Sequence, residues 1–138
     1  MRNENYERVG IWFYGPTSVP KIAATFFSFL RENRFIGVLD SMLKHKDVVV
    51  SEGIVQCMFE ENFDPIEYEI DPTDAYNQPF QGVRFSFRIS QKDPLEYEIV
   101  DVPTFMLYVR EACEKFLQQH PRYKDDVVEA FRSNGLTY

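Results

Sequence analysis

The hydrophobic spacing of this chain changes period twice, and that change limits the fold more than any other feature. Between residues 22 and 43 apolar side chains recur every three to four positions. They are Ile22, Phe26, Phe29 and Leu30, then Phe35, Val38, Leu39, Met42 and Leu43. This is the spacing of helices that bury one face. Ser18 offers an N-cap, and Pro20 fits a first helical turn, where a missing N–H costs nothing. Lys21, Ser28, Arg31 and Glu32 fall on the other side, and Asn33-Arg34 marks a break or kink. The second stripe ends in Lys44-His45-Lys46, cations suited to a helix C-terminus.

Beyond residue 47 the period drops toward two. Val48-Val49-Val50 and the run Ile54–Phe59 are strand-length and rich in β-branched residues, with Ser51-Glu52-Gly53 between them. Asp64-Pro65 and Asp71-Pro72 bracket Ile66-Glu67-Tyr68-Glu69-Ile70, whose alternation predicts a half-exposed strand. Val83, Phe85, Phe87 and Ile89 alternate with Arg84, Ser86 and Arg88, and Tyr97-Glu98-Ile99-Val100 forms a last strand. Then the helical period returns. Asp101 is an N-cap with Pro103 in the first turn, and Phe105, Val109, Ala112, Cys113, Phe116 and Leu117 share a face as far as His120-Pro121. A terminal helix turns Val127, Val128, Ala130 and Phe131 inward and stops at Asn134-Gly135.

Helices, then strands, then helices predict an α+β fold. Its antiparallel sheet should have about four to five strands, near 48–59, 66–70, 83–90 and 97–100, packed with the N- and C-terminal helices. Residues 1–138 are expected to make a single domain, large enough to bury a core without disulfides or a structural metal. The aromatic run from Val9 to Tyr14 is either an edge strand or a packed arm.

Charge carries the functional signal. The chain has a net charge of −7, which excludes a general nucleic-acid binder. From Asp47 to Val83 there are nine acids, Asp47, Glu52, Glu60, Glu61, Asp64, Glu67, Glu69, Asp71 and Asp74, and no Lys or Arg. The rest of the chain holds the other 13 acids and all 15 bases. Three readings of this segment stand side by side: a solvated face, a face for a partner, and a metal site. Calcium needs oxygens converging on one point, and acids spread along an extended segment do not converge. A solubility surface mixes both signs, so the missing counter-charge favours a cationic partner. Aromatic residues interleave with the acids, as interface anchors do. The candidate binding residues are therefore Glu60, Glu61, Asp64, Glu67, Tyr68, Glu69, Asp71, Asp74 and Tyr76.

Catalytic signals are weak. Cys57 and Cys113 stand far apart in apolar surroundings and read as buried free thiols of a reducing compartment. His45 and His120 sit at helix ends and read as solvated termini. There is no GxSxG elbow and no glycine-rich phosphate loop. The expectation is no enzyme, no cofactor, no metal and no small-molecule substrate. A small enzyme using Cys57 or a histidine stays open as an alternative, as does an adaptor for some other basic protein. No stretch has the ~20 apolar residues of a membrane span, and no secretory signal is evident, so the cytoplasm is the expected location.

Three segments carry a family likeness. They are Pro79-Phe80-Gln81-Gly82-Val83-Arg84-Phe85, the stretch Glu98-Ile99-Val100-Asp101 leading through Phe105 into Tyr108–Leu117 and His120-Pro121, and the paired helices around Phe29–Leu39. Together, over roughly Pro20 to Phe131, they resemble the small ribonuclease-toxin immunity proteins of contact-dependent growth inhibition (CDI) systems. The resemblance implies a non-catalytic α+β protein that binds the C-terminal nuclease domain of its toxin in the cytoplasm and obstructs its active cleft. It transfers no interface residue, so the acidic segment rests on charge alone.

Overall fold

The computed structural model describes residues 21–138 except 52, 53, 75, 76 and 91. Val9–Tyr14, Ser18, Pro20, the side chain of Lys21, Glu52 and Tyr76 therefore lie outside the described residues. Helix α1 (Lys21–Ser28) and helix α2 (Glu32–Leu43) precede strands β1 (Val48–Val50) and β2 (Val55–Phe59). A 3-10 turn (Glu60–Asn62) and a short helix α3 (Pro65–Ile70) follow, then β3 (Val83–Phe87) and β4 (Glu96–Val100). Helix α4 (Val102–Gln119), a second 3-10 turn (Pro121–Tyr123) and α5 (Lys124–Ser133) complete the fold. The four strands form one antiparallel sheet in the order β1-β2-β3-β4. The α+β architecture read from the sequence is the observed one.

One face of the sheet carries the core. Register places Val48, Cys57 and Phe85 in one row and Phe59, Val83 and Val100 in another. Phe26 and Phe27 of α1 pack edge-on or tilted against Phe85, with centroids 5.5 and 5.8 Å away. Phe105 of α4 meets Phe59 at 5.3 Å and Phe85 at 6.2 Å. One helical half further on, Phe116 stacks on Phe35 of α2 at 4.0 Å. Helix α4 thus ties the sheet to the N-terminal helices. Glu98 also faces this side and accepts a hydrogen bond from the backbone N–H of Ala23, in the first turn of α1, where an anion is favoured.

Several details differ from the sequence reading. The α1–α2 break falls at Phe29–Arg31, because Leu30 folds back into the core through an N–H bond to the Phe27 carbonyl (3.2 Å). Asn33 and Arg34 then belong to the first turn of α2. Ser28 is buried, and its hydroxyl donates to the Ala24 carbonyl at 2.8 Å. On β3 the alternation does not separate core from solvent. Arg84 and Ser86 are as buried as Val83 and Phe85, the Arg84 guanidinium lying 4.8 Å from the Phe80 ring. The strand ends at Phe87, so Ile89 is exposed, as is Val128 of α5.

The largest correction concerns residues 66–70, which form helix α3 and not a strand. Strands β2 and β3 pair directly from Val55↔Phe87 to Phe59↔Val83, so no slot between them remains. The segment is their connection. Asp64 accepts from the Ile66 N–H at 2.9 Å and Pro65 occupies N1, which starts a helix locally.

Candidate partner-binding surface

The β2–β3 connection, residues 60–82, is where the candidate residues lie. It holds seven of the chain's 22 acids and none of its 15 Lys and Arg, which leaves 15 of each sign elsewhere. The whole net charge of −7 therefore resides in this loop. Its two ends are clamped together at the sheet. Glu60 N–H donates to the Gly82 carbonyl at 3.1 Å, and Gly82 N–H donates to the Glu60 carboxylate at 2.7 Å. Gly82 has φ +92°, and a Cβ there would sit 2.2 Å from the Val100 carbonyl oxygen, so only glycine fits this clamp.

The loop is also anchored to the end of α2. Asp47 Oδ1 accepts from Phe59 N–H at 2.9 Å and from Asn62 Nδ2 at 3.1 Å. Asn62 Nδ2 also donates to the His45 carbonyl at 2.7 Å. His45 Nδ1 lies 2.7 Å from a Glu61 carboxylate oxygen, and that contact holds the Glu61 carboxyl below its usual range. The His45 ring stacks on Phe59 at 4.8 Å, so this histidine is partnered and not simply a solvated terminus. His120 is likewise held, 3.6 Å from Glu32 and against Phe116 at 5.2 Å.

Within the loop, polar side chains replace a core. Asp71 accepts from Thr73 N–H (3.2 Å) and Thr73 Oγ1 (2.7 Å). Asn77 Nδ2 donates to the carbonyls of Glu67 and Asp71, both at 3.2 Å, and so satisfies the C-terminal end of α3. Gln78 Nε2 reaches the carbonyls of Pro72 and, at 3.1 Å, Asp74. Thus Glu60, Glu61, Asp64 and Asp71 shape the loop, whereas Glu67 and Glu69 project from α3 into solvent. Among the described residues no Lys or Arg pairs with either. Tyr68 is 37% exposed. Among the described residues there is no group of three His, Cys, Asp or Glu able to hold a metal, and no helix long and apolar enough to cross a membrane.

Residues 19–131 match the family model described as CDI immunity protein. The chain belongs to the CDI immunity protein family. The comparison with curated proteins returns no match. Membership bears out the resemblance carried by the motifs, and the matched span begins after the Val9–Tyr14 run. It implies an immunity function exercised by binding a cognate toxin.

The thiols of this CDI immunity protein are placed as the sequence reading expected. Both Cys57 and Cys113 are free and buried. Burial, with the nearby Asp47 charge adding to it, pushes the Cys57 thiol far up, and burial pushes Cys113 up to about 12. Neither is a ready nucleophile, since the thiolate is the reactive form. What the sequence reading missed is Ile66 and Ile70. Strand alternation sends both inward, yet the helix leaves them 63% and 77% exposed. The signal that finds them is Asp64 at the N-cap, Pro65 at N1 and Glu67 at N3, a helix-start pattern.

Proposed function

We propose that this protein neutralises a ribonuclease domain of its cognate CDI toxin by holding that domain's basic surface against the loop at residues 60–82. The observation that supports this reading is the concentration of the entire net charge in one loop fixed by its own hydrogen bonds. A nuclease that grips RNA needs a cationic cleft to engage phosphates, and such a cleft is complementary to a surface of −7. The binding surface comprises Glu60, Glu61, Asp64, Glu67, Tyr68, Glu69, Asp71 and Asp74, with Tyr76 beside them in sequence. Pre-ordering of the loop lowers the entropy lost on association. The protein works stoichiometrically in the cytoplasm and without a cofactor.

The test is protection of cells that carry the cognate toxin domain, with RNA integrity as the readout. Wild-type protein should keep cellular RNA intact. Glu67→Lys with Glu69→Lys should lose protection while accumulating to normal levels, because exposed carboxylates contribute little to folding. Neutralising Glu60 or Asp64 would confound the test, since both hold the loop's shape. Full protection by the doubly reversed variant sinks the acidic-face reading. Toxin-dependent loss of DNA with intact RNA sinks the ribonuclease assignment.

A further inference from the structure

Helix α3 presents an apolar pair that stands outside the core formed by the described residues. Ile66 and Ile70 are four residues apart, so their side chains lie one above the other on a single face. None of the six residues of α3 is buried, and the helix is held by Asp64 at one end and Asn77 at the other. Both are mostly exposed, so removing either isoleucine would cost the fold little packing. An isolated exposed aliphatic residue is ordinary. Two stacked on one turn, on a hydrogen-bonded loop carrying the whole net charge, have the form of an anchor with a polar rim.

Building on the immunity reading above, we infer that Ile66 and Ile70 are the apolar anchor of the toxin complex. They would insert into a shallow apolar depression on the toxin domain that is ringed by Lys and Arg. Charge selects this occupant. Glu67 and Glu69 flank the pair within the same helix, and no base occurs between residues 47 and 83. A second copy of the chain would bring an equal negative loop against this one, and an anionic membrane surface would be repelled in the same way. A cationic protein surface gains from both parts of the patch. Tyr68, two residues from Ile66 and so about 200° around the helix, lies on the other side from the pair and takes no part in the anchor.

The experiment measures association and dissociation rates of the full chain with the purified cognate toxin domain, over a range of salt. Ile66→Ala with Ile70→Ala should speed dissociation by about 100-fold, as loss of a central anchor does, with association within about twofold of wild type. Glu67→Gln with Glu69→Gln should do the reverse, slowing association about tenfold at low salt and flattening the salt dependence. Both variants should unfold at the wild-type denaturant midpoint, which excludes a folding defect. Wild-type dissociation from the isoleucine variant, with slowed association of the glutamine variant, overturns the anchor and leaves the acidic-face reading standing. Absence of binding by the wild-type chain overturns both. Sedimentation of the wild type as a dimer that the isoleucine variant abolishes also overturns the assignment, making the pair a self-contact.

Discussion

Helices α3 and α4 share a starting device: an aspartate caps each, Asp64 and Asp101, and a proline stands in each first turn, Pro65 and Pro103. Their surroundings are opposite. Helix α4 runs 18 residues and buries Phe105, Val109, Ala112, Cys113 and Phe116, while α3 runs six and buries nothing. The start of a helix is therefore a local matter, settled by a side-chain acceptor and a preset φ. Burial depends instead on having enough turns to present a continuous apolar stripe, and on a sheet face to receive it. A capped helix too short for a stripe can still be ordered if polar side chains finish its other end, as Asn77 does here. That leaves its apolar residues exposed, as the proposed anchor requires.

Truncation separates the two helices most sharply. Phe116 is fully buried and stacked on Phe35, so Phe116→Ala should cost about 3–5 kcal/mol, the range for emptying a core aromatic site. Ile70→Ala should change stability by less than about 0.5 kcal/mol, as surface substitutions do. Equilibrium denaturation of the two variants measures both. A Phe116 variant with an unchanged midpoint would mean that α4 does not organise the core, and the contrast would collapse.

Gly82 is where the two regions meet, and it gives the next largest effect. Any Cβ there must displace the Val100 backbone just before the α4 cap, and the positive φ adds strain of order 1–3 kcal/mol. Gly82→Ala should therefore lower the denaturation midpoint and weaken toxin binding together, because the Glu60–Gly82 clamp opens. Weakened binding at unchanged stability would show that the clamp orders the loop alone. Lost stability with wild-type binding would show that the loop keeps its shape without the clamp.

The contrast also explains what could be read from the sequence. Long stripes identified themselves: Phe35–Leu43 and Phe105–Phe116 are buried as their spacing requires. Strand positions followed from runs such as Val48-Val49-Val50, and the family likeness from segments inside the matched span. Misreadings occurred where short segments satisfy two periods. Ile66-Glu67-Tyr68-Glu69-Ile70 alternates like a strand and also spaces its isoleucines by one helical turn; the Asp64-Pro65 start favours the helix, and the missing slot between β2 and β3 excludes the strand. Arg84 and Ser86 look like a solvent face because alternation assumes one covered side, whereas both are buried here. The acids were legible by position, but their tasks were not. That Glu60 and Asp64 bond backbone N–H groups while Glu67 stays in solvent is information held by tertiary geometry.

Acid titration sharpens the comparison at a smaller scale. Hydrogen bonds from Thr104, side chain and backbone, hold the Asp101 carboxyl below its usual 3.8, and the His45 contact holds Glu61 below its usual 4.5. Both groups are depressed in the folded state. Their contributions are fully present above those usual values and fade as pH falls through the lower folded ones. Side-chain carboxyl shifts followed by NMR should show Asp101 and Glu61 titrating below 3.8 and 4.5. Asp101→Asn should flatten the acid limb of stability against pH. An Asp101 carboxyl titrating at or above 3.8 would mean that the cap bond to Thr104 does not persist in solution.

The smallest effect is the most discriminating. Asp64→Ala removes the N-cap of α3 and leaves its N-terminal N–H groups to water. Because α3 buries no side chain, global stability should move by less than about 0.5 kcal/mol, even though a lost cap costs a helix about 1 kcal/mol locally. The two statements agree only if α3 opens independently of the core. Amide exchange should then speed up several-fold at Glu69, Ile70 and Asp71 and stay unchanged along α4. Toxin binding should weaken by about the same factor, since the anchor pair must be re-formed before it can insert. If the α4 amides accelerate as well, the loop and the core unfold as one unit, and the separation drawn between the two helices fails. If neither set changes, α3 is held by Asn77 and the clamp, and the aspartate that begins it is dispensable.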